Sequence, residues 1–167
     1  MKNEYVIRDD GAAEISLTQG KVTLVDAGDL PLVAKRRWNA AQHKRGYWKA
    51  TSGANPTVYM HRVLMDASGS QLVDHINHDT LDNRRHNLRM CTVSQNNANG
   101  RKRNGTSSRW KGVNWDKQNN KWRAQVSASG RRVNLGLFDD EEDAALAYDE
   151  AARREYREFA YLNFPPR

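Results

Sequence analysis

The chain has few of the residues that build covalent or membrane-bound scaffolds. Its 167 residues include one cysteine, Cys91, which excludes an intramolecular disulfide and a Cys-x-x-Cys zinc knuckle. No apolar run approaches the length of a membrane-spanning helix, and the opening letters MKNEYVIRDD lack the apolar centre of a secretory signal. We therefore expect a cytoplasmic protein from a reducing compartment, with no structural zinc and no membrane partner.

Acidic residues are also scarce relative to basic ones. Lysine and arginine total 27 against 20 for aspartate and glutamate, which gives a formal net charge of +7. A charge of this size favours an extended polyanion as partner, although a solvated basic surface without a ligand is the alternative that composition leaves open. The mean hydropathy of −0.93 favours two small modules with modest cores.

Three stretches of different character divide the chain. Residues 1–99 begin with short strand-like runs, AEISL, KVTLV, GYWKA and TVYMHRVLM, and one helical spacing in GDLPLVAKRRW. Residues 100–108, GRKRNGTSS, cannot bury a core and predict a basic linker that lies on phosphate. Residues 109–167 contain three strand-like runs followed by a helix from about Glu141 to Tyr156. This pattern predicts an α+β fold of two modules joined by a linker.

Alternation in the last module separates an apolar from a polar sheet face. The apolar face is predicted to carry Trp122, Ala124, Val126, Ala128, Val133, Leu135 and Leu137. Small residues at helical spacing, such as Ala144 and Ala151, allow the helix to pack closely on that face. The acidic first turn of the helix complements the helix dipole, so we interpret these acids as structural.

The segment VDHINHDTLDNRRHNLRMCTVSQNNAN carries the chemistry of the first module. Asp74 can hold a hard divalent cation through oxygen, and His75 can accept a proton from water near neutral pH. Asparagine amides can orient both groups without adding charge. A strand, a second short strand and a following helix are expected to converge four side chains: Asp74, His75, Asn87 and Asn96. This layout is typical of a single-metal nuclease.

The run VDHINHDTLDNRRHNL, preceded by MHRVLM and followed by SQNNAN, resembles the HNH endonucleases of phages and mobile introns. The resemblance implies a ββα-metal (His-Me finger) module that binds Mg²⁺ or Mn²⁺. It further implies that Asp74 is a metal ligand, that His75 is the general base, and that Asn87 steadies this histidine. Asn96 would complete the metal site. Two neighbours are alternatives for that last ligand: Asn97 and Asn99.

Other histidines and arginines of this module have weaker assignments. By the same resemblance His61 is a packing or phosphate contact, whereas His78 and His86 are interpreted as loop residues, with His78 a weak substitute ligand. Three arginines are candidates for holding phosphate, against the alternative of simple solvation: Arg84, Arg85 and Arg89. In this region and the linker, the residues predicted to contact DNA are Arg84, Arg85, Arg101, Lys102 and Arg103.

The polar face of the last module is predicted to bind nucleic acid. Long cations can grip phosphate, and their positions are Arg109, Lys111, Lys117, Lys121, Arg123, Arg131 and Arg132. Amide and hydroxyl side chains can read base edges, and those among the cations are Asn114, Gln125, Ser127 and Asn134. A three-stranded sheet is narrow enough to enter the major groove.

The runs WKGVNW, KWRAQV, RRVNLGLFDDEEDAALAYDEAA and YLNF resemble the plant ethylene-response-factor DNA-binding domain, also called the apetala-two type. The resemblance covers residues 108–165 and implies a three-stranded antiparallel sheet packed on one helix. The plant domains contact bases with Arg, Glu and Trp, where this chain has the amide and hydroxyl residues given above. Their target sequence is therefore not transferred.

The order of the two modules resembles phage-encoded HNH endonucleases that carry an apetala-two-type domain. We therefore expect a homing-type endonuclease that cuts double-stranded DNA at directed sites. It should act as a monomer without an obligate protein partner, because no heptad pattern or apolar interface is evident. One alternative is a sequence-specific DNA-binding regulator with an inactive HNH scaffold. The other is a protein that binds or cleaves RNA, which the lack of exposed stacking aromatics disfavours.

Overall fold

The computed structural model describes residues 3–102, 105–128 and 130–165 and divides into two compact units, Met1–Thr92 and Val93–Arg167. Both units combine small antiparallel sheets with few helices, so the mixed α and β composition predicted from the sequence is confirmed. Within the described ranges no helix has the length and apolar character needed to cross a bilayer.

The first unit contains two three-stranded sheets and a hairpin, all antiparallel. The first sheet consists of β1 (Tyr5–Ile7), β2 (Ala12–Ser16) and β3 (Val22–Asp26). One helical turn, α1 (Leu30–Val33), leads to the second sheet, made of β4 (Asn39–Gln42), β5 (Trp48–Ser52) and β6 (Val58–Tyr59). Helix α2 (Met60–Leu64) precedes the hairpin of β7 (Leu72–His75) and β8 (Leu88–Cys91).

Apolar side chains from all three sheets and α2 form one core in this unit. Trp38 is its largest buried member, and its indole nitrogen donates to the carbonyl of Val33 at 2.8 Å. The run TVYMHRVLM was expected to be a strand, but only its start is extended. Met60 and Leu64 lie one helical turn apart and are both buried, so the core favours a helix there. The predicted helical run GDLPLVAKRRW likewise shortens to the single turn α1.

The second unit is a three-stranded sheet covered on one face by a long helix, as predicted. Its elements are α3 (Val93–Asn99), β9 (Val113–Asp116), β10 (Lys121–Ala128), β11 (Arg131–Phe138) and α4 (Glu141–Tyr156), with β10 at the centre of the sheet. Asp140 caps α4 by accepting from the backbone of Glu142 and Asp143 at 2.6 and 3.2 Å. The sequence placed α3 in the first module. Its residues cluster with the second unit, where the Ala98 carbonyl accepts from the Tyr161 amide at 3.2 Å.

A β-bulge in the second unit changes which residues of β11 face the helix. Ala124 pairs with Gly136 but the next residue pairs with Asn134, so Leu135 is an extra residue in its strand. Leu137 consequently pairs with Arg123 on the polar face, and the prediction that it lies on the apolar face was wrong. Phe138 takes its place in the core.

Helix α4 approaches the sheet closely at a single glycine. Gly112 has φ +78°, and a Cβ built there would lie 2.0 Å from Cδ2 of Tyr148. Any side chain at this position would overlap the tyrosine ring. The close contact fixes α4 against the face of the sheet opposite the polar residues.

Candidate active site and nucleic-acid interface

The end of β7 places Asp74 and His75 in the interior of the first unit. Both residues are buried, and they pair with Arg89 and Leu88 of β8. Two antiparallel strands and the loop between them therefore present a carboxylate and an imidazole at adjacent positions. A carboxylate can supply an oxygen ligand and an imidazole can accept a proton, and these are the roles that the sequence predicts for the two residues.

The His75 ring has a polar and an aromatic neighbour. Its Nε2 lies 3.1 Å from Oδ1 of Asn83, and the ring of His61 meets it edge-on at 5.2 Å between centroids. Burial lowers the pKa of His75 below its ordinary value, although the Asn83 hydrogen bond and the Asp74 charge act in the opposite direction. The imidazole is therefore neutral near pH 7, which is the state that a general base requires.

His61 lies on α2, beside His75. Burial lowers the pKa of His61 to about 3, and the neighbouring His75, Lys49 and Arg62 add to the effect. A neutral His61 adds no positive charge next to His75. Its position fits the packing role that the resemblance implied.

Asp74 is engaged by an arginine. Arg89 donates to Oδ2 of Asp74 from Nε at 3.1 Å and from Nη2 at 3.0 Å, and both side chains are largely buried. In the described ranges no three His, Cys, Asp or Glu side chains converge to hold a metal. The Asp74 carboxylate is a hard oxygen ligand of the kind that Mg²⁺ uses, since this ion takes one or two protein carboxylates and its remaining ligands from water and phosphate.

Asn87 acts on the loop between the two strands. Its Nδ2 donates to the Asp82 carbonyl at 2.8 Å, and its Oδ1 accepts from the Asn77 amide at 2.9 Å. Among the asparagines of this loop, Asn83 lies within hydrogen-bond distance of the His75 ring. Sequence reasoning missed Asn83 because it is one asparagine among several in this loop and no spacing rule distinguishes it from Asn87.

All three arginines predicted to hold phosphate in this unit are bound to carboxylates, Arg89 to Asp74 and the other two to different aspartates. Arg84 makes two bonds of 2.8 Å to Asp82 and holds the pKa of that carboxyl below its usual range. Arg85 makes two bonds of 2.8 Å to Asp29, and its backbone amide donates to Asp26 at 2.7 Å. These ion pairs stabilise the β7–β8 loop.

The predicted last metal ligand lies on α3. Asn96 is exposed on this helix, as is Asn97, whereas Asn99 is buried. All three belong to the second compact unit.

The polar face of the second unit is assembled by the register of its strands. Arg123 lies between Asn114 and Leu137, Gln125 pairs with Asn134, and Ser127 pairs with Arg132. We call this surface the polar sheet face; its residues are Asn114, Asp116, Lys121, Arg123, Gln125, Ser127, Arg132, Asn134 and Leu137. It brings together every amide and hydroxyl residue that the sequence predicted to read bases.

The cations predicted to bind DNA in this unit differ in their partners within the protein. Three pair with carboxylates: Arg109 with Glu142 at 2.8 Å, Lys121 with Asp139 at 3.0 Å, and Arg123 with Asp116. Lys111 donates to the carbonyls of Ala98 and Gly100, and burial lowers the pKa of Lys111 to about 8.

The remaining predicted cations differ in where they lie. Arg131 pairs with Ala128, on the helix side of the sheet, whereas Arg132 lies on the polar sheet face; both are exposed. Lys117 is exposed in the β9–β10 turn. Arg101 and Lys102 lie in coil, and Arg103 is outside the described residues. Ser107 and Ser108, predicted as linker, accept from the backbone amides of Trp115 and Trp110 at 2.7 and 2.8 Å.

Comparisons with known proteins relate the chain to two families. The AP2 domain family matches residues 108–158. Over 151 residues the chain is 31% identical to an uncharacterized HNH endonuclease of Acanthamoeba polyphaga mimivirus, covering 87% of this chain and 76% of that protein. It is 28% identical to Protein 3.8 of Escherichia phage T7 over 114 residues, which cover 68% of this chain and 84% of the phage protein.

A plant protein matches a smaller part of the chain. The chain is 41% identical over 71 residues to an AP2/ERF and B3 domain-containing transcription factor of Arabidopsis thaliana, covering 42% of this chain but only 20% of the plant protein. No solved structure matches the chain.

Proposed function

Because this chain belongs to the HNH endonuclease family and carries an AP2 domain at residues 108–158, we propose that it cleaves double-stranded DNA at sites selected by its polar sheet face. The observation that carries the proposal is the buried Asp74–His75 pair in the β7–β8 hairpin. A buried imidazole whose pKa is lowered can take a proton at neutral pH.

His75 would act as the general base. A water proton moves to the imidazole, the water oxygen forms a bond to phosphorus, and the bond from phosphorus to the leaving sugar oxygen breaks. That sugar oxygen takes up a proton from solvent. The water must lie within hydrogen-bond reach of the ring, and the β7–β8 loop holds the ring in place for this contact.

Asp74 would hold one Mg²⁺ or Mn²⁺ ion through its carboxylate. The sequence predicts Asn96 as a further ligand, with Asn97 and Asn99 as alternatives. When bound, the ion would neutralise charge that develops on the phosphate and the leaving oxygen. Arg89 already neutralises Asp74. We therefore expect the Arg89 guanidinium to leave Asp74 and contact the DNA phosphate when a cation binds.

The polar sheet face would position the protein on DNA. Arg132 is exposed and has no ion pair with a carboxylate in the part of the chain that the structure describes, so it can contact phosphate. Gln125, Ser127 and Asn134 lie beside it and can donate to or accept from base edges. The specificity would thus come from residues other than those that cut, which is the arrangement of a homing-type endonuclease.

Incubation of the purified protein with phage or bacterial genomic DNA, with and without Mg²⁺, tests the proposal. We expect a small number of mapped ends, and their loss on chelation with EDTA while binding in a gel-shift assay persists. Binding without cleavage under any divalent cation would identify the chain as a DNA-binding regulator with an inactive HNH scaffold. Cleavage of RNA in preference to duplex DNA would show that the substrate is RNA and not double-stranded DNA.

A further inference from the structure

A chain of buried hydrogen bonds connects the N-terminal sheet to His75. Thr23 of β3 is fully buried, and Asn83 of the β7–β8 loop is 1% exposed. A polar group removed from water at this depth must find a partner within the protein, because an unsatisfied donor or acceptor costs about 1–3 kcal/mol. The direction of each bond therefore follows from which atoms can donate.

The first link fixes the hydroxyl of Thr23. Its Oγ1 lies 2.7 Å from the carbonyl oxygen of Leu81, which can only accept. The single hydroxyl proton therefore points at Leu81. The sulfur of Met60 is a second and weaker acceptor at 3.9 Å. The lone pairs of Oγ1 are left to accept.

The second link fixes the orientation of the Asn83 amide. Its side chain lies 2.8 Å from Oγ1 of Thr23, and that oxygen can only accept there because its proton is engaged. The amide NH₂ group must face Thr23, and the amide oxygen must face His75. The distance of 3.1 Å from Oδ1 to Nε2 of His75 agrees with this orientation.

The third link determines which imidazole nitrogen carries the proton. An amide oxygen accepts and cannot donate, so Nε2 of His75 must be protonated. A neutral imidazole carries one ring proton, which leaves Nδ1 as the basic nitrogen. We propose that the Thr23–Asn83 relay sets the tautomer of His75 and keeps the ring proton on Nε2. The role of this ring as a general base rests on the proposed function; the tautomer does not.

The backbone of β3 holds the relay in register. The Leu24 amide donates to the Leu81 carbonyl at 2.9 Å, and the Asn83 amide donates to the Leu24 carbonyl at 2.8 Å. The Leu81 carbonyl thus receives both the Thr23 hydroxyl and the Leu24 amide. The N-terminal sheet is therefore part of the support of the catalytic histidine, which makes Thr23 and Asn83 positioning residues.

Nitrogen NMR of the full-length, metal-free protein near neutral pH tests the relay directly. Long-range proton–nitrogen spectra distinguish the two neutral tautomers, and the signal of His75 among the five histidines is identified by its loss in His75→Ala. We expect a protonated Nε2 and an unprotonated Nδ1. A wild-type His75 that carries its proton on Nδ1 would overturn the proposal without the need for any further variant.

Thr23→Val tests the source of the tautomer. Valine has nearly the same shape as threonine but no acceptor, so the Asn83 amide loses its orientation. We expect a mixture of tautomers and a fall in the cleavage rate of about 10- to 100-fold, the range seen when a residue that orients a catalytic ligand is lost. Thr23→Ser keeps the hydroxyl and should retain the wild-type tautomer and most of the activity. An unchanged tautomer in Thr23→Val would overturn the relay.

The two readouts separate this inference from the proposed function. A protonated Nε2 that depends on Thr23, in a protein that cuts no nucleic acid, would leave the relay standing and remove the nuclease. Cleavage of DNA by a protein whose His75 is protonated on Nδ1 would support the nuclease function and overturn the relay.

Discussion

The β7–β8 hairpin and the C-terminal sheet contain the same kinds of residue and use them in opposite ways. In the hairpin, Arg84 and Arg85 each make a two-bond ion pair with an aspartate, and the asparagines bond within the protein. On the polar sheet face Arg123 is likewise paired, with Asp116, but Arg132 and Asn134 are exposed. Arginine and asparagine therefore build a rigid site where carboxylates and carbonyls surround them, and stay accessible to a ligand where these groups are absent.

Removal of the proposed base should produce the largest effect. His75→Ala is expected to lower the cleavage rate by about 10²- to 10⁴-fold, the usual contribution of a general base, and to leave DNA affinity unchanged. Cleavage of a supercoiled plasmid that carries the mapped site, together with gel-shift titration, measures both quantities. His86→Ala is the matched control because His86 is exposed in the same loop. Full activity of the His75 variant would remove the general-base assignment.

Loss of a hairpin arginine should reduce stability. Arg85→Ala leaves the buried Asp29 carboxylate without its two charged hydrogen bonds, and we expect the free energy of unfolding of the first unit to fall by about 1–3 kcal/mol. Urea unfolding followed by tryptophan fluorescence measures the loss.

Arg8→Ala provides the comparison for that variant. Arg8 pairs with Glu14 at 2.7 Å, but both side chains are more than two-fifths exposed, at 46% and 41%. An exposed pair of this kind contributes about 0–1 kcal/mol. Equal stability losses for the Arg8 and Arg85 variants would contradict a structural role for the hairpin ion pairs.

Arg131 and Arg132 are adjacent in β11 and test whether DNA contacts the polar sheet face. Arg132→Ala should weaken DNA binding and lower the slope of log affinity against log salt by about one, because one phosphate contact is lost. Arg131→Ala should change that slope less, since Arg131 faces the helix side of the sheet. Fluorescence anisotropy over a salt series measures both slopes. A greater effect from Arg131 would mean that DNA lies against another surface of this unit.

The smallest effect is expected from a cation that already has a partner. Arg109 is highly exposed but pairs with Glu142 at 2.8 Å at the acidic start of α4. Its replacement by alanine should leave the salt slope close to that of the wild type in the same anisotropy series. A loss as large as that of Arg132→Ala would show that the acidic helix start lies near DNA.

Much of the fold could be predicted from residue patterns. Two-residue alternation identified β10, and small residues at helical spacing together with an acidic first turn identified α4. The bulge at Leu135 could not be predicted, because an extra residue in one strand changes the register without changing the composition. Alternation therefore assigned Leu137 to the wrong face.

Residue patterns also predicted only part of the candidate site. Asp74 and His75 are adjacent in the sequence and belong to one short motif, so the motif alone was enough to select them. Whether Asn83 or Asn87 contacts His75 depends on how the β7–β8 loop packs against β3. The hydrogen bond between Thr23 and Asn83, for example, joins residues about 60 positions apart in the chain.

The kinds of module, the residues available for proton transfer and the sign of the protein's charge follow from composition and short-range spacing, so they can be predicted from the amino-acid sequence. The folded chain was needed to learn which arginines are neutralised, which asparagine contacts His75, and which of Arg131 and Arg132 lies on the polar sheet face. Charge pairing, buried hydrogen bonds and strand register depend on contacts between segments that are distant in the chain.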